Sequence, residues 1–350
     1  MKKINILQLV TGLGMGGAEK VVYDLAFNSD KSKFNTYVIA LSKRVERVQE
    51  FIDGKIDTTV LHKDNTLSNL FSMIKEINLF IKEKEIDVIH AHMSHPMIIA
   101  TILKILNPKV RIVTTSHNID IESKVREIFL CIFRFLRFKD IIFSKDILMY
   151  FYRQDYEIVP NGIDLNNYNI EEQKNEKFTF ISVGRLETVK NHKLLIEVAN
   201  NLKDNFDFEL QIVGDGYLKS ELQSMIDDFG LNQKVKLLGL RRDIPFLLNK
   251  AHCFLMPSFW EGLPIVLLEA GASRLPIIST SVGSIPVLLN NENSTLVELN
   301  SFEEAMIEII NNYEKANKKA QNLFDKIKKE YSIEQIVRKH EKIYLEASSK

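Results

Sequence analysis

Short apolar runs alternate with stretches of helical periodicity along the whole chain. Ile4–Val10 reads as a buried strand, Gly12–Gly17 as a turn and Ala18–Asn28 as a helix. Tyr37–Leu41 predicts a second short strand, and Ser68–Lys84 has helical spacing. Asp87–Ala91 and Arg111–Ser116 are further β-rich runs with helical material between them. A βαβα order of this kind argues for a parallel sheet covered on both faces.

The pattern restarts after Pro160-Asn161-Gly162, a turn-forming tripeptide followed by a polar stretch from Asn166 to Lys177. Phe178–Val183 predicts a strand, Asn191–Asp204 a helix and Phe208–Val213 a strand. Val235–Leu238, Cys253–Met256 and Pro276–Ser279 complete a second set of strands. A domain boundary is expected near residues 162 to 168, and Asn312 to Lys350 reads as a charged, Lys-rich helical tail. The length of 350 residues suits two domains. The expected fold class is α/β, with two Rossmann-like domains in tandem. Ligands of such sheets bind beyond the carboxyl ends of the strands, so a cleft shared by the two domains is the expected place for chemistry.

Composition narrows the function without choosing it. Lys plus Arg and Asp plus Glu each number 46, so net charge gives no general attraction to nucleic acid. Two cysteines, Cys131 and Cys253, offer neither a disulfide framework nor a metal-spaced cluster, which fits a reducing compartment. The N-terminal apolar run is short and ends in a glycine-rich turn, unlike a signal peptide, and no stretch approaches the ~20 apolar residues that span a bilayer. A cytoplasmic protein is expected.

Gly12-Leu13-Gly14-Met15-Gly16-Gly17 fits the G-x-G-x-x-G fingerprint and follows a predicted strand. Its glycines would let backbone amides and the next helix approach a phosphate. The acid that should follow the second strand is missing, because Leu41 is followed by Ser42-Lys43-Arg44, so the ribose of NAD would lack its partner. A tight turn for close helix packing is the plainer alternative.

The second half carries more. Arg185 and Lys190 lie in the segment Val183 to His192 that joins a strand to a helix, with Asn191 as an expected N-cap. Two cations beside a helix N-terminus suit a diphosphate, although a pair of solvated charges would read the same way. Gly214-Asp215-Gly216 ends the next strand with a flexible acidic turn. Glu261 precedes and Glu269 lies within the helix Ile265–Ala272, and Pro264 suits that helix's first turn. Two carboxylates there could hold vicinal hydroxyls of a ribose and a hexose. Ser258 and Glu261 could instead form a capping box, and Glu269 could be a surface acid, but its neighbours are apolar and a carboxylate there needs a partner.

Five motifs in order resemble a retaining glycosyltransferase of family four with the GT-B fold. They are Gly16-Gly17-Ala18-Glu19, Asp87-Val88-Ile89-His90-Ala91-His92, Val159-Pro160-Asn161-Gly162-Ile163-Asp164, Gly184-Arg185…Lys190-Asn191-His192 and Glu261…Glu269. The resemblance covers nearly the whole chain. It implies an acceptor-side domain at 1–164, a nucleotide-sugar-binding domain at 165–331 and a C-terminal helix at 332–350 that crosses back to the first domain. By the same resemblance, Arg185 and Lys190 bind the donor diphosphate and stabilise its departing charge. Glu269 holds the ribose, and Glu261 faces the transferred sugar. Amides near Leu263 and Ile265 approach sugar or phosphate, and Gly214 and Arg241 lie on the nucleotide side. Gly16 and Gly17 close over the phosphates from across the cleft. His117 sits at the sugar and acceptor side, while His92 is as readily structural.

The chain has no Asp-x-Asp pair. No metal and no cofactor are expected, since cationic side chains and helix dipoles can carry the diphosphate. Two departures from the family pattern bear on donor identity. Gly283-Ser284-Ile285-Pro286-Val287 lacks an acid at its last position, and Asn293-Ser294-Thr295-Leu296-Val297 replaces a common Asn-Gly pattern. The expected reaction moves a hexose or N-acetylhexosamine, from UDP before GDP, to a lipid-linked glycan acceptor of a surface polysaccharide such as O-antigen, capsule or exopolysaccharide. The competing readings are a nucleotide-sugar epimerase, an NAD-dependent enzyme, and an inactive sugar-nucleotide-binding subunit. Residues 124–139 are basic and rich in phenylalanine. As a helix with Glu127, Cys131, Arg134 and Arg137 along one side, they could lie on an anionic membrane surface at the inner face of the cell membrane. A buried helix with a charged edge is the alternative.

Overall fold

The computed structural model describes residues 2–64, 66–116, 123–143, 156–168, 170 and 172–349. The chain forms two compact units, Met1–Gly162 with Ile333–Lys350, and Ile163–Ser332.

Among the described residues of the first unit, seven parallel strands are β1 (Ile4–Val10), β2 (Phe34–Ala40), β3 (Asp57–Val60), β4 (Val88–His92), β5 (Arg111–Thr115), β6 (Lys139–Ile142) and β7 (Tyr156–Ile158). They are ordered β3-β2-β1-β4-β5-β6-β7. β1 is buried on both faces from Asn5 onward, which explains its unbroken apolar character. Its alternation splits the core into two layers. Leu7 and Leu9 pack with Met73, Ile77 and Ile81 of the helix Leu67–Glu83 and with Met97 and Leu103 of the helix Ser94–Leu106. Ile6 faces the other way, onto Ile336, Ile343 and Tyr344 of the helix Ile333–Ser349.

That second face also carries a buried polar network. The Tyr344 hydroxyl lies 2.7 Å from His90 Nδ1 and accepts from Gln8 Nε2 at 3.1 Å. Thr115 Oγ1 is 2.7 Å from His90 Nε2, and Gln8 Oε1 is 2.7 Å from His92 Nε2. The last helix is thus tied to β1, β4 and β5 by groups that cannot be rehydrated while it stays docked. His90 and His92 have structural partners here.

In the second unit the strands are β8 (Phe178–Val183), β9 (Phe208–Val213), β10 (Val235–Gly239), β11 (Cys253–Met256), β12 (Ile277–Ser279) and β13 (Thr295–Leu296). The order is β10-β9-β8-β11-β12-β13, all parallel. The helices His192–Leu202 and Phe302–Asn311 cover one face, and Ile265–Ala272 and Tyr313–Glu330 cover the other. The strand order reverses between β8 and β11, and the loops beyond their carboxyl ends are where such a sheet opens to ligands. The unit's first and last residues pair, through an Ile163–Ser332 bridge and a bond from Ile163 N to Tyr331 O at 2.9 Å.

Three sequence expectations need correction. The tail is two helices, Tyr313–Glu330 and Ile333–Ser349, broken at Tyr331-Ser332, and the break separates the two units. Residues 124–139 are not one helix: Lys124–Ile132 is helical, Arg134–Leu136 forms a 3-10 turn, and the chain then enters β6. Arg137 therefore leaves the Glu127, Cys131 and Arg134 side and is buried. Its Nε donates to Asp140 Oδ1 at 2.7 Å and its NH1 to Leu130 O at 2.6 Å. Asn191 adopts a left-handed conformation, φ 54°, and makes no side-chain cap on the next helix.

Candidate functional site

Beyond β8 the chain makes a loop and a 3-10 turn (Thr188–Lys190) before the helix His192–Leu202. Backbone bonds lace this loop to its neighbour: Leu186 N donates to Asp215 O at 2.9 Å and Leu218 N to Leu186 O at 3.1 Å. The lacing explains the glycines of the Gly214-Asp215-Gly216 turn. Gly214 has φ +144°, and a Cβ on it would stand 2.9 Å from the Gly184 carbonyl carbon, with the oxygen nearer still. A Cβ on Gly216 would stand 2.8 Å from the Leu186 carbonyl carbon, again with the oxygen nearer. Only bare backbone lets the two loops approach so closely. The Tyr217 hydroxyl, 2.8 Å from Thr188 Oγ1, adds a side-chain tie.

The loop after β11 closes on the first one, where Phe259 N donates to Val189 O at 2.9 Å. Lys190 Nζ donates to Glu261 Oε1 at 2.5 Å, and Ser258 Oγ donates to the same oxygen at 2.6 Å. Both ion-pair side chains are largely buried, 18% and 8% exposed, so water screens this pair far less than a surface pair. Ser258 and Glu261 thus bond side chain to side chain, and the helix Ile265–Ala272 begins after Pro264 without a side-chain cap. Glu261 is fixed from behind as well. Ser284 N donates to Glu261 O at 3.1 Å, and Thr280 Oγ1 donates to Ser258 O at 2.7 Å. Gly283 makes this possible with φ +54°.

His192 opens its helix beside Lys190. It is buried, and burial followed by the Lys190 charge pushes its imidazole down to about 4, so it is neutral at pH 7. Its Nδ1 has no hydrogen-bond partner among the described residues. Arg185 is 74% exposed and pairs with Glu187 at 2.9 Å, a contact worth little in water. Arg241 bonds Asp243 through Nε at 2.7 Å, next to an exposed Leu240. Leu263 is buried, Ile265 is the first residue of its helix, and Glu269 Oε1 accepts from the Tyr168 hydroxyl at 2.7 Å. The structure therefore brings Lys190 and Glu261 into contact and sets Gly214 against Gly184, while Arg185 and Arg241 hold local acids.

In the first unit Gly16 precedes and Gly17 begins the helix Gly17–Asn28, again without a side-chain cap. The turn before it is stapled to the segment after β2, by Leu13 N to Arg44 O at 2.8 Å and Arg47 N to Leu13 O at 2.9 Å. The carboxylates of Glu19 and Glu46 come within 3.6 and 3.7 Å of where a Gly14 side chain would begin. His117 lies outside the described residues.

A family model for glycosyl transferases group 1 matches residues 166–330, and one for glycosyltransferase family 4 matches residues 15–167. The chain is a family-four glycosyltransferase. Among its relatives is the Escherichia coli UDP-Gal:alpha-D-GlcNAc-diphosphoundecaprenol alpha-1,3-galactosyltransferase, 29% identical over 323 residues, which cover 80% of this chain and 82% of that one. The Staphylococcus aureus capsular polysaccharide biosynthesis glycosyltransferase CapH is 25% identical, over 87% of both chains. Among solved structures, Anabaena HepE in complex with UDP superposes with a TM-score of 0.84 at 19% identity, covering 97% of this chain and 99% of that one. The glycosyltransferase has the GT-B fold.

Sequence reasoning missed two groups behind the site in this family-four enzyme, Tyr168 as a partner of Glu269 and Gly283 beneath Glu261, and it paired Ser258 with Glu261 only as a capping box, where the structure has a direct side-chain bond. Tyr168 and Gly283 have no spacing signal, since each meets its acid only through the fold, Tyr168 from 101 residues away.

Proposed function

We propose that this glycosyltransferase moves a hexose or N-acetylhexosamine from a nucleotide-sugar, UDP before GDP, to a lipid-linked glycan during assembly of a bacterial surface polysaccharide, with retention at the anomeric carbon. The observation that carries the proposal is the largely buried Lys190–Glu261 pair at the point where the strand order of the second unit reverses. The E. coli relative is named for a UDP-galactose donor and a diphosphoundecaprenol-linked acceptor, and the S. aureus relative for capsular polysaccharide synthesis.

In the proposed reaction Lys190 and Arg185 hold the donor diphosphate, Arg185 leaving Glu187 to do so, and the uncapped N-terminus of His192–Leu202 adds its dipole. Glu261 orients the sugar and holds Lys190. Gly214, Arg241, Leu263, Ile265 and Glu269 take the nucleotide, and Gly16, Gly17 and His117 complete the phosphate and acceptor sides. The bond from the anomeric carbon to the diphosphate oxygen breaks and its electron pair stays on the diphosphate. The acceptor hydroxyl bonds to the same face of that carbon and passes its proton to the departing phosphate. Positioning and charge stabilisation supply the acceleration, and the reaction takes neither metal nor cofactor.

The proposal extends to the membrane. No helix among the described residues is long and apolar enough to cross a bilayer. Val125, Ile128, Ile132 and Phe135 are exposed apolar residues beside exposed Lys124 and Arg134, a combination suited to an anionic surface on the cytoplasmic side. A screen of UDP- and GDP-sugars for nucleoside diphosphate release, with and without lipid-linked acceptor, tests the proposed function. Acceptor-dependent release that falls in Arg185→Ala, Lys190→Ala and Glu269→Ala supports it. Undiminished turnover in all three variants overturns it.

A further inference from the structure

The motif Asn161-Gly162-Ile163-Asp164 opens the second unit, and the residues just after it end on Glu269. Asp164 caps a 3-10 turn, Leu165–Asn167, by accepting from Asn166 N at 3.0 Å and from Asn167 Nδ2 at 3.1 Å. Tyr168 N then donates to Leu165 O at 3.1 Å. Asn249 is buried and holds the next point, donating from Nδ2 to Tyr168 O at 3.1 Å and to Pro245 O at 2.8 Å. Both ends of this short arch are thereby fixed. Its outcome is the Tyr168 hydroxyl placed 2.7 Å from Glu269 Oε1.

We infer that Tyr168 is a positioning residue for nucleotide binding: its hydroxyl sets the rotation of the Glu269 carboxylate so that the plane suits a pair of vicinal ribose hydroxyls. The inference rests on the proposed role of Glu269. A carboxylate on three rotatable bonds accepts two hydroxyls at once in only a narrow range of its last torsion. A phenol anchored through its own backbone removes that freedom before the ligand arrives. The bond to a charged acceptor is also stronger than a neutral one. Asp164 contributes through the turn, which gives its motif a task in the second unit: delivering a side chain to the nucleotide site.

The test compares binding of UDP with binding of 2′,3′-dideoxy-UDP by calorimetry, using GDP and its dideoxy analogue if UDP does not saturate the protein. The full-length wild type, Tyr168→Phe, Glu269→Ala and the double variant are measured, with circular dichroism confirming that each is folded. Tyr168→Phe is expected to weaken the ribonucleotide about fivefold or more while changing the dideoxy analogue less than about twofold. It should add nothing in the Glu269→Ala background. Should Glu269→Ala discriminate the two ligands while Tyr168→Phe does not, the positioning role is refuted and the ribose role stands. Should Glu269→Ala itself fail to discriminate, the ribose role falls, and the inference falls with it. Equal weakening of both ligands by Tyr168→Phe would mark a general structural effect and also refutes the inference.

Discussion

Gly283→Ala is the substitution for which the structure makes the sharpest demand. Gly283 sits at φ +54°, where a side chain costs roughly 1–2 kcal/mol. A Cβ there would stand 2.9 Å from the Glu261 carbonyl carbon and 3.2 Å from its nitrogen, and would overlap the carbonyl oxygen. The obstacle is backbone, so no side-chain rotation relieves it. The loop must move, and the Ser284 N to Glu261 O bond of 3.1 Å is lost, at a cost of about 1 kcal/mol. Together these give roughly 2–3 kcal/mol, which for a domain of this size lowers the melting temperature by about 4–12 °C. Displacing Glu261 also disturbs its contacts with Lys190 and Ser258, so donor turnover should fall by about 100-fold. Gly262→Ala is the control: it adjoins Glu261 in sequence, yet a Cβ there meets nothing within 4 Å. Thermal denaturation of the two variants decides the matter. Equal losses, or a Gly283→Ala loss below about 0.5 kcal/mol, would refute the reasoning.

Burial pushes His340 down to about 4, and its Nε2, beside the rings of His90 and Tyr344, has no hydrogen-bond partner among the described residues. Its folded value lies below its ordinary one, so the unfolded chain binds more protons between about pH 6.5 and 4. Stability is then whole above that window and falls as the pH drops through it, by roughly 3 kcal/mol for this group. Urea denaturation across the window should show a flatter profile for His340→Leu; an unchanged slope would contradict the assignment. Arg137→Ala strands Asp140, which also accepts from Thr114 Oγ1, and should cost about 3–5 kcal/mol in thermal denaturation. A loss under about 1 kcal/mol would show the pair to be loosely held. Arg134→Glu with Phe135→Ser should cut flotation with phosphatidylglycerol vesicles at least about tenfold, whereas unchanged binding removes the membrane face.

The βαβ rhythm was legible wherever a strand is buried on both faces, since continuous apolar runs leave no other reading. Phe178–Val183, Phe208–Val213 and Cys253–Met256 match the structure residue for residue. The strands that escaped notice are β3, β6, β7 and β13, of two to four residues. β6 was hidden by the phenylalanine-rich segment before it, whose helical spacing runs on past Ile132 although the chain turns there and Arg137 is drawn inward by Asp140. At the site, the charged residues stood out because Arg185, Lys190 and Glu261 lie in the loops that join a strand to a helix. Their supports did not. Gly283 is invisible until the Glu261 carbonyl is seen beneath it, and Tyr168 looks like any aromatic after a turn.

Binding of UDP to the full-length chain, with Lys190→Ala and Gly16→Val beside the wild type, tests the central claim most directly. If the second unit holds the nucleotide diphosphate, the wild type binds one equivalent and NAD does not compete. Lys190→Ala then weakens binding at least about tenfold, as loss of a charge-assisted contact requires, and Gly16→Val weakens it less. Wild-type affinity in Lys190→Ala, or displacement of UDP by NAD, would contradict it.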